Sequence, residues 1–403
     1  MTRRSGPQPP DRGSEVSRQP PSRERCGLRR GAVVRLTPLR FLSGPQPPDR
    51  GSDVFRKPPS RERCGLRRGA VGGLTPLRFL MVMMMGVPVS AADVTVTRGD
   101  GRIDVAIDGQ AFTSYVHAGH RKPILFPVHG PGGTPMTRSW PIVADVPGEA
   151  HDHPHHESIW FTHGLVNGVD FWASHPLAGK PERRADHRIE QVELLEARGG
   201  REGVIEARHR WVKADDTVVC TDTTRLVFGG DAAVRTIDYT ITLHADHGPV
   251  TLGDTKEGAM GLRVPTPLQL KDLDGSKGAA GHCTNSEGQR DADVWGKAAR
   301  WVAYWGPIDG RTVGVAVLDH PGNLRHPTHW HARDYGLVAA NPFGLHDFTG
   351  AAKGSGDHVI PAGGTLTLRY LFVFHEGDAE SAGIDALWQR WAGADAAPTQ
   401  AAP

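Results

Sequence analysis

From residue 93 to about residue 392 the apolar residues of this chain recur with a period of two rather than 3.6. Val94-Thr95-Val96-Thr97, Arg102 to Ile107 and Ala111 to His117 alternate apolar with polar, separated by Gly99-Asp100-Gly101 and Asp108-Gly109. Successive side chains of a strand point to opposite faces, so this pattern describes half-buried strands joined by tight hairpins. The same reading marks strands at 188–196, 203–212, 217–228, 233–245, 249–255, 300–307, 311–319 and 365–375. Asp215-Asp216, Gly229-Gly230-Asp231 and Asp309-Gly310 supply turns between them. Only Ala379 to Trp391 has helical spacing, with Ile384, Leu387, Trp388 and Trp391 on one face. The chain is therefore expected to be all-β, a large antiparallel β-sandwich with one short C-terminal helix. Loops at 127–158, 256–299 and 320–350 hold most of the histidine, tryptophan and asparagine, where β proteins carry their binding groups.

The N-terminal part is different. Residues 5–42 recur as 43–80 with 33 of 38 positions identical, rich in Pro, Arg and Gly. Such sequence buries too little apolar surface to offset its chain entropy, so 1–80 is expected to be disordered. It holds 18 Lys and Arg against 6 Asp and Glu, which leaves 47 − 18 = 29 basic and 45 − 6 = 39 acidic residues after position 80. The overall charge of +2 thus hides an acidic domain of net −10. The basic repeat would suit a nucleic-acid arm, but we read it as translated upstream sequence, because a signal-like run follows. Arg78, an apolar stretch from Phe79 to Val89 and then Ser90-Ala91-Ala92 make a secretory signal at 78–92, too short to span a bilayer. The expectation is an exported protein, periplasmic or extracellular, with a single domain at 93–392 and a disordered tail at 393–403. Cys220 and Cys283 are compatible with one disulfide or with two separate thiols.

Three segments carry chemistry. His151-Asp152-His153-Pro154-His155-His156-Glu157 leads through Ser158-Ile159-Trp160-Phe161-Thr162 to His163. Imidazole exchanges protons near neutrality and is the commonest metal ligand, so five of them beside Glu157 read as a site, with a solvated His-rich loop as the alternative. Asp254 to Arg263 flanks Glu257 with Lys256 and Arg263, which suits a general base or a hydroxyl anchor, or else a surface ion pair. Asp319 to Gly336, followed by Asn341, brings together Arg325, His326, His329, Trp330 and His331. An aromatic face with planar polar groups is how a sugar pocket is built; the plainer reading has Trp330 closing the core.

The run 151–172, Thr255-Lys256-Glu257-Gly258 and His326 to Leu337 together resemble an exported bacterial family that carries the label "methane oxygenase PmoA family" or domain of unknown function. The likeness covers roughly 112–392. The membrane subunit of that name spans a bilayer, whereas 93–403 has no spanning helix. The resemblance implies instead a supersandwich like that of galactose mutarotases, where a histidine acid and a carboxylate base act on a sugar. His156 or His163 would be the acid and Glu257 the base. His153, His155, Lys256, Arg263, Arg325, His329, Trp330 and Asn341 would bind a small-molecule or oligosaccharide substrate, with no nucleic acid and no membrane span involved. No cofactor is expected. His151, His153 and Glu157 fit part of a cupin metal pattern and leave room for a divalent ion in a metal-dependent enzyme. The expected function is therefore an exported carbohydrate-active enzyme (epimerase, lyase or hydrolase) working by His/Glu acid–base chemistry. A cupin-like oxygenase and a non-catalytic carbohydrate-binding module are the alternatives.

Overall fold

Hairpin chemistry sets the first elements. In the computed structural model, which describes residues 93–175 and 186–394, Asp108 and Gly109 take positive φ (50° and 74°) at the turn between two strands. The duplicated segment, the signal-like run and residues 395–403 of the expected tail lie outside the described residues. The chain begins with β1 (Val94–Arg98), β2 (Arg102–Ile107), β3 (Gln110–Val116), β4 (Ile124–Val128) and β5 (Ile159–His163). Four long strands follow, β6 (Arg188–Arg198), β7 (Gly203–Val212), β8 (Val218–Gly230) and β9 (Val234–His244). Then come β10 (Val250–Leu252), β11 (Gly258–Arg263), β12 (His282–Asn285), β13 (Trp301–Ile308) and β14 (Arg311–Asp319). The C-terminal part holds β15 (His329–Trp330), β16 (Leu337–Asn341), α1 (Leu345–Thr349), β17 (His358–Ile360), β18 (Thr365–Glu376) and α2 (Ile384–Ala394).

Two eight-stranded antiparallel sheets form the body. The first runs β1-β2-β3-β4-β5-β11-β16-β15 and the second β12-β13-β14-β18-β9-β8-β7-β6, with β10 and β17 as a separate pair. The expected all-β antiparallel architecture is what the chain adopts. The inner faces meet in one core: Ile103, Val105, Phe161, Met260 and Val338 of the first sheet pack with Phe228, Ile237, Phe372 and Phe374 of the second. Helix α2 covers the other side of the second sheet, where Ile384, Leu387, Trp388 and Trp391 meet Trp301, Leu318 and Leu371. It starts five residues later than the pattern predicts, because Gly383 has φ 64° and Asp378 ties Ser381 into a turn. It also ends two residues past 392.

The loops at 127–158, 256–299 and 320–350 contain more regular structure than expected. Strands β11, β12, β15 and β16, with part of β4, lie inside them. β5 pairs with β11 from Gly258↔His163 to Leu262↔Ile159, and β11 pairs with β16 from Met260↔Ala340 to Arg263↔Leu337. Segments about 75 to 100 residues apart thus form the centre of one sheet. Cys220 and Cys283 are free, buried thiols, so the disulfide alternative fails.

Candidate functional site

Alternation along β5 decides which side chains share a face. Ile159 and Phe161 enter the core, while Trp160 joins Trp172, Ile124, Leu337 and Ala339 on the outer face of the first sheet. Gly261 on β11 lies under the Trp160 indole: a Cβ there would sit 2.6 Å from a ring carbon. A glycine at that register position is what lets the ring lie flat against the sheet.

The loop from Ala150 to Ser158 folds over this apolar patch, held by a buried guanidinium. Arg138 donates to the carbonyls of Asp152 (2.9 Å), His153 (3.0 Å) and His156 (3.2 Å) and to Asp152 Oδ1 (2.6 Å). These bonds hold His153 in the left-handed region at φ 45°, unusual for a residue with a Cβ. Arg263 gives the Asp152 carboxylate a second cation at 2.8 Å and 3.0 Å. Burial disfavours the Asp152 charge, but the bond from His153 and the two guanidinium ions outweigh it and hold the carboxyl well below its ordinary range. The rings stack in sequence: Tyr335 on His153 at 4.8 Å, His153 on His156 at 4.9 Å, and His156 on Trp160 at 5.4 Å. Arg263 sits 4.7 Å over Tyr335 and donates to His156 Nδ1 at 3.2 Å. An arginine can only donate, so neutral His156 carries its proton on Nε2. Burial, then the nearby His155 and Arg263 charges, push the His156 pKa well down.

Beside this stack lies a carboxylate with three cationic or imidazole neighbours. Glu157 is 1% exposed; Lys122 Nζ donates to its Oε2 at 2.7 Å and His120 Nδ1 lies 2.6 Å from its Oε1. His175 Nε2 is 3.8 Å from the same Oε1. Burial alone would raise the Glu157 pKa, but the Lys122 charge and the His120 bond bring it down to about 2. An ionised carboxylate only accepts, so His120 donates from Nδ1, and in the neutral ring the lone pair is then on Nε2. Burial takes His175 down to about 4, partly countered by Glu157, and leaves it neutral at pH 7. Gly119, His120, Arg121, Glu157 and His175 line a cavity of about 330 Å³. A histidine oriented by a buried carboxylate at the edge of a cavity is the arrangement that general acid–base catalysis uses.

The sequence candidates separate into distinct places. His153, His155, His156 and Arg263 do meet on the outer face. His153 is 41% exposed, whereas His156 is sealed and has no open surface to offer a substrate. His163 points the other way, into the core, because it is in phase with Phe161. Its Nε2 donates to the Gly253 carbonyl at 2.8 Å, its ring packs on Phe343, and burial lowers its pKa to about 4. Glu257 is 35% exposed and pairs with Lys256 at 3.5 Å. The Tyr335 hydroxyl is pushed up to about 12, first by burial, and Glu257 adds to that rise, so its charge reaches the aromatic stack.

Trp330 is fully buried and donates to Ala299 O at 2.9 Å; its ring is core, not a stacking platform, because β15 turns it inward. Asn341 is also buried and bonds the Thr255 carbonyl, and Arg325 donates to the carbonyls of Pro342, Gly356 and Asp357. Both brace loops. His329 stacks on Phe348. The cupin-like set does not converge: His151 stacks on Trp140, His153 bonds Asp152, and Glu157 is engaged by Lys122 and His120. Among the described residues no three His, Cys, Asp or Glu side chains gather as a metal-binding group.

His120, Arg121, Lys122 and His175 were absent from the sequence expectations. The signal was present: Gly119-His120-Arg121-Lys122 follows directly on a predicted strand, at a loop where a scaffold presents its functional groups.

Among the described residues no helix is long and apolar enough to cross a membrane. No curated protein matches this chain significantly. Solved structures match with TM-scores near 0.3. A glycoside hydrolase family 97 enzyme variant from Pseudoalteromonas sp. strain K8 is 9% identical with TM-score 0.28, over 72% of this chain and 35% of its own. An alpha-galactosidase from Lactobacillus brevis is 7% identical with TM-score 0.31, over 71% of this chain and 39% of its own. The chain thus spans little more than a third of either. A galactose mutarotase related enzyme from Lactobacillus acidophilus is 9% identical with TM-score 0.28, over 70% of this chain and 97% of its own. Likeness at that level concerns β architecture and says nothing about a site. The sequence profile that matches residues 102–389 is described as a family of unknown function, DUF6807, without the methane-oxygenase label, and the chain belongs to that family.

Proposed function

We propose that this protein is an exported carbohydrate-active enzyme that moves a proton at a carbon of a sugar or an oxidised sugar. His120 Nε2 takes the proton, and Glu157 holds the His120 ring and stabilises the imidazolium that results. Lys122 keeps Glu157 ionised while buried. The His120 imidazolium gives that proton back, to the carbon or to a leaving oxygen, while neutral His175 on the same cavity is placed to hydrogen-bond the oxyanion formed in between, which makes epimerisation or elimination the outcome. His153 and Tyr335 add a partly exposed aromatic surface beside the site, of the kind that packs against sugar C–H groups. The observation that carries this reading is the 2.6 Å contact between His120 Nδ1 and the buried Glu157 Oε1 at a cavity edge. It replaces the expected pairing of His156 or His163 with Glu257.

The test is incubation of purified protein with a panel of mono- and disaccharides and their keto and uronic derivatives in D2O, followed by proton NMR. Deuterium entering at one carbon, with product formed and both lost by about 100-fold or more in His120→Gln, is the expected result. Turnover unchanged in His120→Gln removes the dyad, and no exchange or product with any sugar removes the reading. The chemistry uses side chains alone, so chelation followed by metal analysis should leave turnover intact.

A further inference from the structure

Three concavities lie in order along one strand of the first sheet. Past the C-terminal end of β3, Gly119, His120 and Arg121 line the cavity described above. Along the middle of β3, Thr113 and Ser114 line a second, of about 460 Å³, with Thr95, Thr97, Arg102 and Asp104. At its start, Gln110 and Ala111 line a third, of about 410 Å³, which shares Ala111 and His129 with the second. The second is on the outer face, because Thr95, Arg102 and Asp104 alternate with Val94, Ile103 and Val105 of the core. That is the face on which Trp160 lies and over which Lys122 reaches, 5.6 Å from the indole. Fully extended chain spans at most about 3.6 Å per residue, so Ser114 and Gly119 are at most about 18 Å apart.

We infer that the two concavities on β1–β4 form one elongated groove that binds the distal units of an uncharged oligosaccharide whose terminal unit enters the His120 cavity. This rests on the carbohydrate reading above. The shared wall makes the groove longer than one sugar ring needs. Its charges cancel: Arg102 pairs with Asp104 at 3.1 Å, and Ser114 Oγ donates to the same carboxylate at 2.5 Å. No unpaired charge is left to select an acidic polymer. What remains is the exposed hydroxyls of Thr95 and Thr97, with Ala106, Ala111 and Pro127 as apolar surface for C–H groups. The floor is braced from below by Arg235, which is 2% exposed and donates to Ala111 O (2.9 Å), His129 O (3.1 Å) and Gln110 Oε1 (2.9 Å). A groove held rigid before binding loses less entropy when it takes a ligand.

The test is calorimetric titration of the full chain with neutral gluco-, manno- and xylo-oligosaccharides of two to six units. Wild type should bind the hexamer of one series at least about tenfold tighter than its dimer. Asp104→Ala, and Thr95→Arg, which fills the groove, should remove most of that gain while leaving dimer affinity and the melting temperature within error. Affinity independent of length, or a length dependence that both variants keep, overturns the groove and leaves the carbohydrate reading standing. Binding of no saccharide overturns both. Self-association that either variant abolishes, seen by sedimentation, would assign the groove to a second copy of the chain and also overturn the proposal.

Discussion

Strands β8 and β9 of the second sheet and strands β5, β11 and β16 of the first are both central, but only the former alternate. Buried and half-buried residues take turns along the whole of β9, whereas β5, β11 and β16 are buried at every position. The difference lies in what covers the second face. The outer face of β9 meets water, long polar side chains, as where Arg369 on β18 pairs with Asp238, and part of helix α2, whose Trp391 donates to the same Asp238. The outer face of β5, β11 and β16 is roofed by the 150–158 loop, Trp172 and Tyr335. Strands lose their period-two signature where their second face is also covered, as β14 does where Ala316 and Leu318 pack against α2.

That contrast can be broken by substitutions matched across the two regions. The largest effect is expected at Lys122. Lys122→Met leaves Glu157 buried without its main counter-charge, which typically costs about 3–5 kcal/mol. Arg208→Ala on β7, which removes the exposed partner of Glu193, should cost no more than about 0.5 kcal/mol. Urea unfolding of both measures the difference; equal effects would mean that the roofed region is not the better packed one.

Acid comes next. His163 has a folded pKa of about 4 against an ordinary 6.5, so between those values the unfolded chain binds more protons and stability falls as pH falls. The full loss from this one residue is about 3 kcal/mol. His155, His156 and His331 are shifted in the same direction, mainly by burial. The measurement is unfolding free energy across that window, with His163→Asn expected to flatten the slope. Glu157 works lower: its depressed pKa gives stability above its ordinary 4.5 that is lost as pH falls towards 2.

The smallest contrast is between two glycines. Gly261→Ala drives a methyl into the Trp160 ring and should cost about 1–3 kcal/mol. Gly229→Ala on β8 meets nothing closer than 3.6 Å and should be nearly neutral. Similar thermal shifts for the two would show that Trp160 moves freely, and that the outer face is not close-packed.

The same contrast explains what the sequence made legible. The hairpins of β1–β3 and the long strands β6 to β9 were readable because one face is wet. β5, β11 and β16 were not, because a strand buried on both faces reads as an unpatterned apolar run: β11 and β16 fell into supposed loops and β5 was not marked as a strand. That cost the phase argument at His163, whose place two residues after Phe161 assigns it to the core once β5 is a strand. Histidine density drew attention to His151–His163 and rightly marked where the outer face is roofed. It missed His120 and Lys122, since nothing in sequence connects them to Glu157, 37 and 35 residues away. Trp330 was misplaced because a tryptophan among polar neighbours looks exposed until its strand phase is known.

The account depends most on the tautomer of His120. Nitrogen NMR of isotope-labelled protein at neutral pH reports which imidazole nitrogen carries the proton, without any substrate. A neutral His120 protonated on Nδ1, with a slowly exchanging proton that disappears in Glu157→Gln, is the predicted result. A His120 protonated on Nε2, or one whose signals are indifferent to Glu157→Gln, would contradict the dyad and with it the proposed chemistry.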